Sequence, residues 1–143
     1  PASALSPVFV TPDELAPHWR GGKLHRAMNV WLNDRQIGRP QAGEEAQFHF
    51  GQLIAHAART RRLGAGTLIG SGTISNASDE AGVCCLVEAR VREQLCGGAM
   101  STPFLRDGDR VRIAMLDDEG NSLFGDIDQQ VRIPARRPMP AMA

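Results

Sequence analysis

Polar and hydrophobic positions alternate in two stretches of the chain. In residues 24–32, mainly hydrophobic side chains occupy every second position. A period of two predicts a β-strand, and the turn-forming residues 33–36 that follow, with Ile37 and Gly38 after them, predict a β-hairpin. Residues 83–95 alternate in the same way, with Glu88 on one side of the alternation. They predict a second, longer strand.

A different period appears between residues 49 and 62. Hydrophobic residues recur there at spacings of three and four, which predicts one amphipathic α-helix; they are Phe50, Leu53, Ile54, Ala57 and Ala58. His49 and His56 lie on this stretch about two helical turns apart, which is too far for both to bind one metal ion. We therefore predict a surface or helix-capping role for these two histidines.

The remaining predicted elements are short. A helix start is predicted at residues 11–15, because Thr11 can cap a helix whose first position is Pro12. Residues 134–143 form a tail that is predicted to be mobile. Strands are predicted for residues 8–10, 67–69, 110–115 and 122–133. The expected fold is therefore mixed and β-rich, of the α+β class, with one substantial helix.

The composition fits one compact globular domain. Of the 143 residues, 42% are hydrophobic and 22% are charged, close to the average for such domains. The 16 basic and 16 acidic residues balance, which argues against nucleic acid as a partner, and no hydrophobic run approaches the ~20 residues of a membrane span. The odd number of cysteines, with Cys84 adjacent to Cys85 and Cys96 nearby, favours a reduced, cytoplasmic protein.

Few residues stand out as candidates for metal binding or nucleophilic catalysis. The sequence contains no zinc or nucleotide motif of the common types. Glu44 and Glu45 fit acidic residues beside a helix N-terminus better than metal ligands. Cys84 and Cys85 are interpreted as small strand residues rather than nucleophiles, because no adjacent base is evident.

Two features each leave two interpretations open. Glu88 stands within an otherwise hydrophobic stretch, and it either pairs with Arg90 on the surface or lies in a cleft; the pattern alone favours the surface pair. The run from Gly70 to Thr73 is a hydroxyl-bearing, glycine-flanked turn. Its amides and the Thr73 hydroxyl fit a carboxylate or enolate oxygen as well as they fit a plain tight turn.

Three segments resemble the fumarylacetoacetate hydrolase family. Residues 63–75, Leu-Gly-Ala-Gly-Thr-Leu-Ile-Gly-Ser-Gly-Thr-Ile-Ser, resemble the family pattern L-x-x-G-D-x-(I/L)-x-(T/S)-G-T. Residues 104–111, Phe-Leu-Arg-Asp-Gly-Asp-Arg-Val, resemble F-L-x-D-G-D-x-V. Gly125 falls where the family has a glycine that closes its last strand. The order and spacing of the three segments fit from residue 1 to about residue 131.

The details of the first segment refine this resemblance. Residues 71–75, Ser-Gly-Thr-Ile-Ser, are most similar to the fumarylacetoacetase subgroup, since smaller relatives usually have Gly-Thr-Pro there. The departure is Gly66-Thr67, where the family commonly has Gly-Asp. That position is structural, so the expected activity is little affected.

The resemblance implies a fold and a set of site residues. Residues 1–133 would correspond to the C-terminal portion of a catalytic domain. The implied fold is a fumarylacetoacetase-like β-roll, which would be incomplete in this chain. Gly72 and Thr73 correspond to the substrate-binding turn. Glu88 corresponds to the glutamate that orients the catalytic histidine, which moves this residue from the surface-pair interpretation to the cleft.

The resemblance also implies partners that lie outside the chain. The ligands of a Mg²⁺ or Ca²⁺ ion, the catalytic histidine and an active-site lysine would all precede the matched region. The isolated chain is therefore expected to be inactive and to work with its own N-terminal portion, in a homodimer. No nucleic acid or membrane partner is expected.

The implied activity is the metal-assisted hydrolysis of a C–C bond in a β-diketone acid. The expected substrate is fumarylacetoacetate, cleaved to fumarate and acetoacetate in the catabolism of tyrosine and related aromatic amino acids. Acylpyruvate hydrolysis and oxaloacetate decarboxylation, which use the same metal–enolate chemistry, are alternatives within the family. A non-catalytic β-domain is the alternative from a different class.

Overall fold

A computed structural model describes residues 3–134 of the chain. Its strands are β1 (Trp19–Arg20), β2 (Lys23–Leu24), β3 (Met28–Leu32), β4 (Arg35–Gly38), β5 (Arg110–Met115) and β6 (Ile127–Gln130), and its helices are α1 (Phe50–Ala58), a 3₁₀ turn (Asp79–Ala81) and α2 (Leu86–Leu95). The strands and helices confirm the expected mixed, β-rich α+β class. The predicted mobile tail lies outside the described residues, apart from Pro134.

The main sheet contains four strands. Their order is β4-β3-β5-β6, with every neighbouring pair antiparallel, while β1 and β2 pair separately. The hairpin predicted around residues 33–36 is β3–β4. Asn33 and Asp34 connect its strands with φ angles of 50° and 64°, and such left-handed angles suit the right-handed twist of a hairpin.

One face of the main sheet is hydrophobic. Val30 of β3 lies opposite Ile113 of β5, and because side chains alternate along a strand, Met28 and Leu32 share this face. On the other face Arg112 lies 4.8 Å above the ring centre of Trp31, a cation–π contact. This hydrophobic face is turned toward the chain that leads into α2.

A hydrophobic cleft of about 450 Å³ opens between this face and the chain that leads into α2. We call it the sheet–helix cleft; its lining includes Val30, Leu32, Ile37, Cys85, Val87 and Phe104. Within residues 3–134 the buried hydrophobic side chains are Leu15, Val30 and Ala114, whereas Phe9 and Leu95 are 82% and 81% exposed. The hydrophobic core of the described residues is therefore small.

Helix α1 confirms the sequence prediction for residues 49–62, although it ends four residues early. His49 is its N-cap: the His49 Nδ1 atom accepts from the Gln52 N–H, and the Gln52 side chain accepts from the His49 N–H. This reciprocal pairing is a capping box. The predicted capping role is confirmed for His49.

Helix α2 occupies the region where a strand was predicted, so the prediction for residues 83–95 is wrong. Val87, Val91 and Leu95 are hydrophobic at a spacing of four as well as two, and a helix satisfies that pattern equally well. Strong helix formers dominate residues 86–95. Arg92 also pairs with Glu88 one helical turn away, at 2.8 Å, a spacing that stabilises helices.

Four further predictions also differ from the structure. Residues 12–18 form successive turns instead of a helix, since Pro17 has no N–H with which to continue one. Residues 8–10 and 67–69 are not strands; Val8 N–H donates to Phe124 O at 3.0 Å, a single contact. Of the predicted strand 122–133, only the part that forms β6 is a strand. None of the helices in residues 3–134 has the length and hydrophobicity to cross a membrane.

Candidate functional site

The glycine-flanked turn is an exposed, irregular segment that follows α1. Gly72 has a φ of 87°, in the left-handed region, and a Cβ atom built on it would meet nothing within 4 Å. The backbone conformation therefore favours glycine, while the space around it leaves the peptide open to an approaching ligand.

Thr73 lies on the wall of a cavity of about 300 Å³ next to this turn. Hydroxyl, amide and carboxylate groups share the wall with several hydrophobic side chains; the lining includes Gln41, Glu45, Phe48, Leu53, Ser71 and Ser75. Hydroxyl and amide donors at the edge of a hydrophobic cavity suit a small organic acid. This is the cavity into which the Thr73 assignment places a substrate.

Asn76 anchors the segment to the chain that follows β4. Its side chain is nearly fully buried; Oδ1 accepts from the Gln41 N–H at 2.7 Å and Nδ2 donates to Gln41 O at 3.2 Å. One residue further, the Ala77 N–H donates to Glu45 Oε2 at 2.7 Å. Glu45 lies five residues before the start of α1, in the region where the sequence analysis placed it, and its carboxylate binds the loop.

Glu88 lies in the first turn of α2, with its side chain 19% exposed. Its Oε1 atom accepts from the Ser75 hydroxyl at 2.6 Å and from Arg92 Nη2 at 2.8 Å. Its Oε2 atom is buried and has no hydrogen-bond partner within the part of the chain that the structure describes. The carboxylate is therefore held through one oxygen, and the other is left to accept a further donor.

The predicted surface pair of Glu88 with Arg90 is not found. Arg90 instead donates to Thr102 O and lies 4.7 Å above the ring centre of Phe104. The helical geometry explains the difference, since residues two apart point to different sides of a helix and residues four apart point to the same side.

Arg92 joins α2 to the loop that follows the glycine turn. Besides Glu88, it donates to Asn76 O and to Asp79 Oδ1, each at 3.0 Å. Through Ser75 and Arg92, the structure brings Glu88 to the segment that carries Thr73. Sequence analysis missed Ser75, Asn76 and Arg92, although the four-residue spacing of Glu88 and Arg92 would have been a signal had the region been interpreted as a helix.

The two cysteines before α2 differ from their predicted setting in a strand, since Cys85 is the N-cap residue of the helix. Burial, with a smaller contribution from the nearby charge of Glu88, raises the pKa of the Cys84 thiol to about 11. A thiol with this pKa is protonated at neutral pH and is a poor nucleophile. This agrees with the view that Cys84 is not a nucleophile.

The described residues contain no group of three or more His, Cys, Asp or Glu side chains that could hold a metal ion. None of the hydrogen bonds that Glu88 makes among residues 3–134 involves a histidine.

Comparison with protein families identifies a match over most of the chain. No curated protein matches the chain. The family model described as "Fumarylacetoacetate (FAA) hydrolase C-terminal" matches residues 1–132, a region that contains the glycine turn, helix α2 and the whole main sheet. The chain is thus a member of the fumarylacetoacetate hydrolase family and represents the C-terminal part of its domain.

Proposed function

We propose that the chain is part of a hydrolase that cleaves a C–C bond in a β-diketone acid such as fumarylacetoacetate, giving fumarate and acetoacetate. Members of the family are generally enzymes, which supports a catalytic protein over a non-catalytic domain. The observation that carries the proposal is the state of Glu88, whose Oε1 is bound by Ser75 and Arg92 while Oε2 is buried and unpartnered.

Hydrolysis of such a bond requires an activated water molecule. The water oxygen adds to a carbonyl carbon, the C–C bond breaks, and the bonding electrons pass to the leaving enolate, which then takes up a proton. A histidine can remove the water proton if its other ring N–H is held by an acceptor. Glu88 Oε2 is that acceptor in our proposal, with the histidine supplied by residues outside those described.

Thr73 and Gly72 bind the substrate in this proposal. Thr73 lines the 300 Å³ cavity, and the open peptide at Gly72 lets a ligand oxygen approach backbone N–H groups. Hydrogen bonds to an anionic oxygen are stronger than those between neutral groups. A carboxylate or a developing enolate oxygen is therefore the group that we place against this turn.

The divalent metal that the family resemblance implies does not fit the described residues, because they offer no cluster of ligands. We therefore assign no step to a metal within this chain and place its ligands in the N-terminal portion of the complete enzyme. By the same resemblance we propose a homodimer located in the cytoplasm and acting in tyrosine catabolism.

A comparison of substrates tests this proposal. The complete enzyme is assayed with fumarylacetoacetate, an acylpyruvate and oxaloacetate, following loss of the substrate and identifying the products. We expect the highest kcat/KM for fumarylacetoacetate. A higher value for either of the other acids would transfer the assignment to that reaction, and no turnover of any of the three would contradict the proposed activity.

A further inference from the structure

The two oxygens of Glu88 have different environments, and Arg92 is largely responsible. An exposed ion pair between residues four apart on a helix leaves both carboxylate oxygens to water. Here the Glu88 and Arg92 side chains are 19% and 27% exposed, and Arg92 and Ser75 both donate to Oε1. The carboxyl plane is therefore fixed by two donors that approach the same oxygen.

Arg92 is itself held in place at two other points. Its Nη2 atom donates to Asn76 O as well as to Glu88, and its Nη1 atom donates to Asp79 Oδ1. A planar guanidinium that donates to three acceptors cannot turn about its axis without losing hydrogen bonds. Its contact with Glu88 therefore has a defined direction.

One acceptor of Arg92, the Asn76 carbonyl, belongs to a well-anchored part of the chain. Asn76 is buried and pairs in both directions with Gln41, the residue that shares the cavity wall with Thr73. The orientation of Glu88 therefore depends on the same backbone segment that shapes the proposed substrate cavity.

We infer that Arg92, together with Ser75, is a positioning residue for the reaction: it occupies Glu88 Oε1 so that Oε2 alone is presented to the histidine. This inference rests on the proposed function. Arg92 touches neither the substrate nor the reacting atoms, and it acts through the geometry of Glu88. Loss of Arg92 lets the carboxylate rotate and misplaces the histidine ring.

The test is made in the complete enzyme with Arg92→Met, Arg92→Lys and Arg90→Met. Displacement of a catalytic group by about 1 Å can cost on the order of 100-fold in rate, so we expect Arg92→Met to lower kcat by roughly 10- to 100-fold with KM within about threefold. Arg92→Lys keeps a charge that can reach Glu88 and should recover part of kcat. Arg90→Met, on the same helix but without contact to Glu88, should leave kcat within about threefold.

Thermal unfolding of each variant separates positioning from folding. If Arg92→Met does not fold, Ser75→Ala removes the second donor to Oε1 from an exposed position and should lower kcat in the same direction. A folded Arg92→Met or Ser75→Ala enzyme with unchanged kcat overturns the inference, provided that Glu88→Gln is severely impaired. If Glu88→Gln is also unaffected, the inference fails because Glu88 itself has no role in the reaction, whereas the proposed function fails only if the wild-type enzyme turns over none of the three acids.

Discussion

Gly38 and Gly82 face each other at the edge of β4 with no room for a side chain. A Cβ atom on Gly38 would lie 2.1 Å from Val83 O, and one on Gly82 would lie 2.3 Å from Ile37 O. The two glycines form an isolated antiparallel bridge, and Val83 N–H donates to Ile37 O at 3.0 Å. This contact fixes the chain three residues before α2 and therefore the start of the helix that carries Glu88.

We expect Gly38→Ala to destabilise the protein strongly. The added methyl group meets a backbone carbonyl that cannot move without breaking the bridge, and overpacking of this kind costs roughly 3 kcal/mol. Gly64→Ala is the matched control, because nothing lies within 4 Å of its Cβ position and its φ is not left-handed. Chemical denaturation measures both; equal stability of the two variants would show that the bridge is not tightly packed.

Glu88→Gln should impair the complete enzyme in kcat far more than in KM. The amide can keep a hydrogen bond to Ser75, but it loses the charge that an oriented histidine requires when it becomes protonated. Because general-base assistance contributes about 100-fold or more, we expect a loss of at least that order. Glu80→Gln, an exposed change close by, is the control, and steady-state kinetics within a few-fold of wild type for Glu88→Gln would remove this residue from the site.

Thr73→Val tests whether the glycine turn binds substrate or only shapes the chain. Valine keeps the branched shape, and Thr73 is exposed, so the melting temperature should change little. The lost hydrogen bond to a charged group should lower kcat/KM by about 10- to 100-fold, equivalent to roughly 1.5–3 kcal/mol. Thr67→Val, at an exposed position in the same stretch, should change neither quantity. A lower melting temperature with normal kinetics would mark the turn as structural.

Glu93 on α2 should make folding stability depend on pH in the acidic range. Hydrogen bonds from the hydroxyl and N–H groups of Thr102, with further ones from Ser101, lower its pKa from the ordinary 4.5 to about 2. A depressed pKa in the folded state means that the stabilisation is present above about pH 4.5 and is lost as the pH falls through about 2. Melting curves between pH 5 and pH 2 should therefore show wild type losing its advantage over Glu93→Gln; a constant difference would contradict this.

The elements that could be predicted from the sequence are those fixed by local chemistry. The β3–β4 hairpin follows from Asn33 and Asp34, which tolerate the left-handed angles of its turn, and α1 follows from its period together with the His49 cap. Helix α2 could not be assigned by alternation, because its hydrophobic residues fit spacings of two and four equally well.

The candidate site could be predicted only in part for the same reason. The resemblance led to Gly72, Thr73 and Glu88, but their assigned roles remain predictions. The hydrogen bonds that link Glu88 to Ser75 and Arg92 depend on α2 being a helix, so no reading of residues 83–95 as a strand could have found them. The connection of residues 73–76 to Glu88 depends on the pairing of Asn76 with Gln41. The two residues lie far apart in the sequence, so its pattern does not reveal this contact.

The small hydrophobic core has a consequence for the thermodynamics of the chain. Its accessible surface is 10811 Å², whereas a compact protein of this mass has ~7200 Å², and large hydrophobic side chains such as Phe9, Leu68 and Leu95 are exposed. The heat-capacity change on unfolding scales with the hydrophobic area that becomes newly hydrated. Studied by itself, the chain should therefore unfold with a small heat-capacity change, and its free energy of unfolding should vary almost linearly with temperature instead of passing through a pronounced maximum.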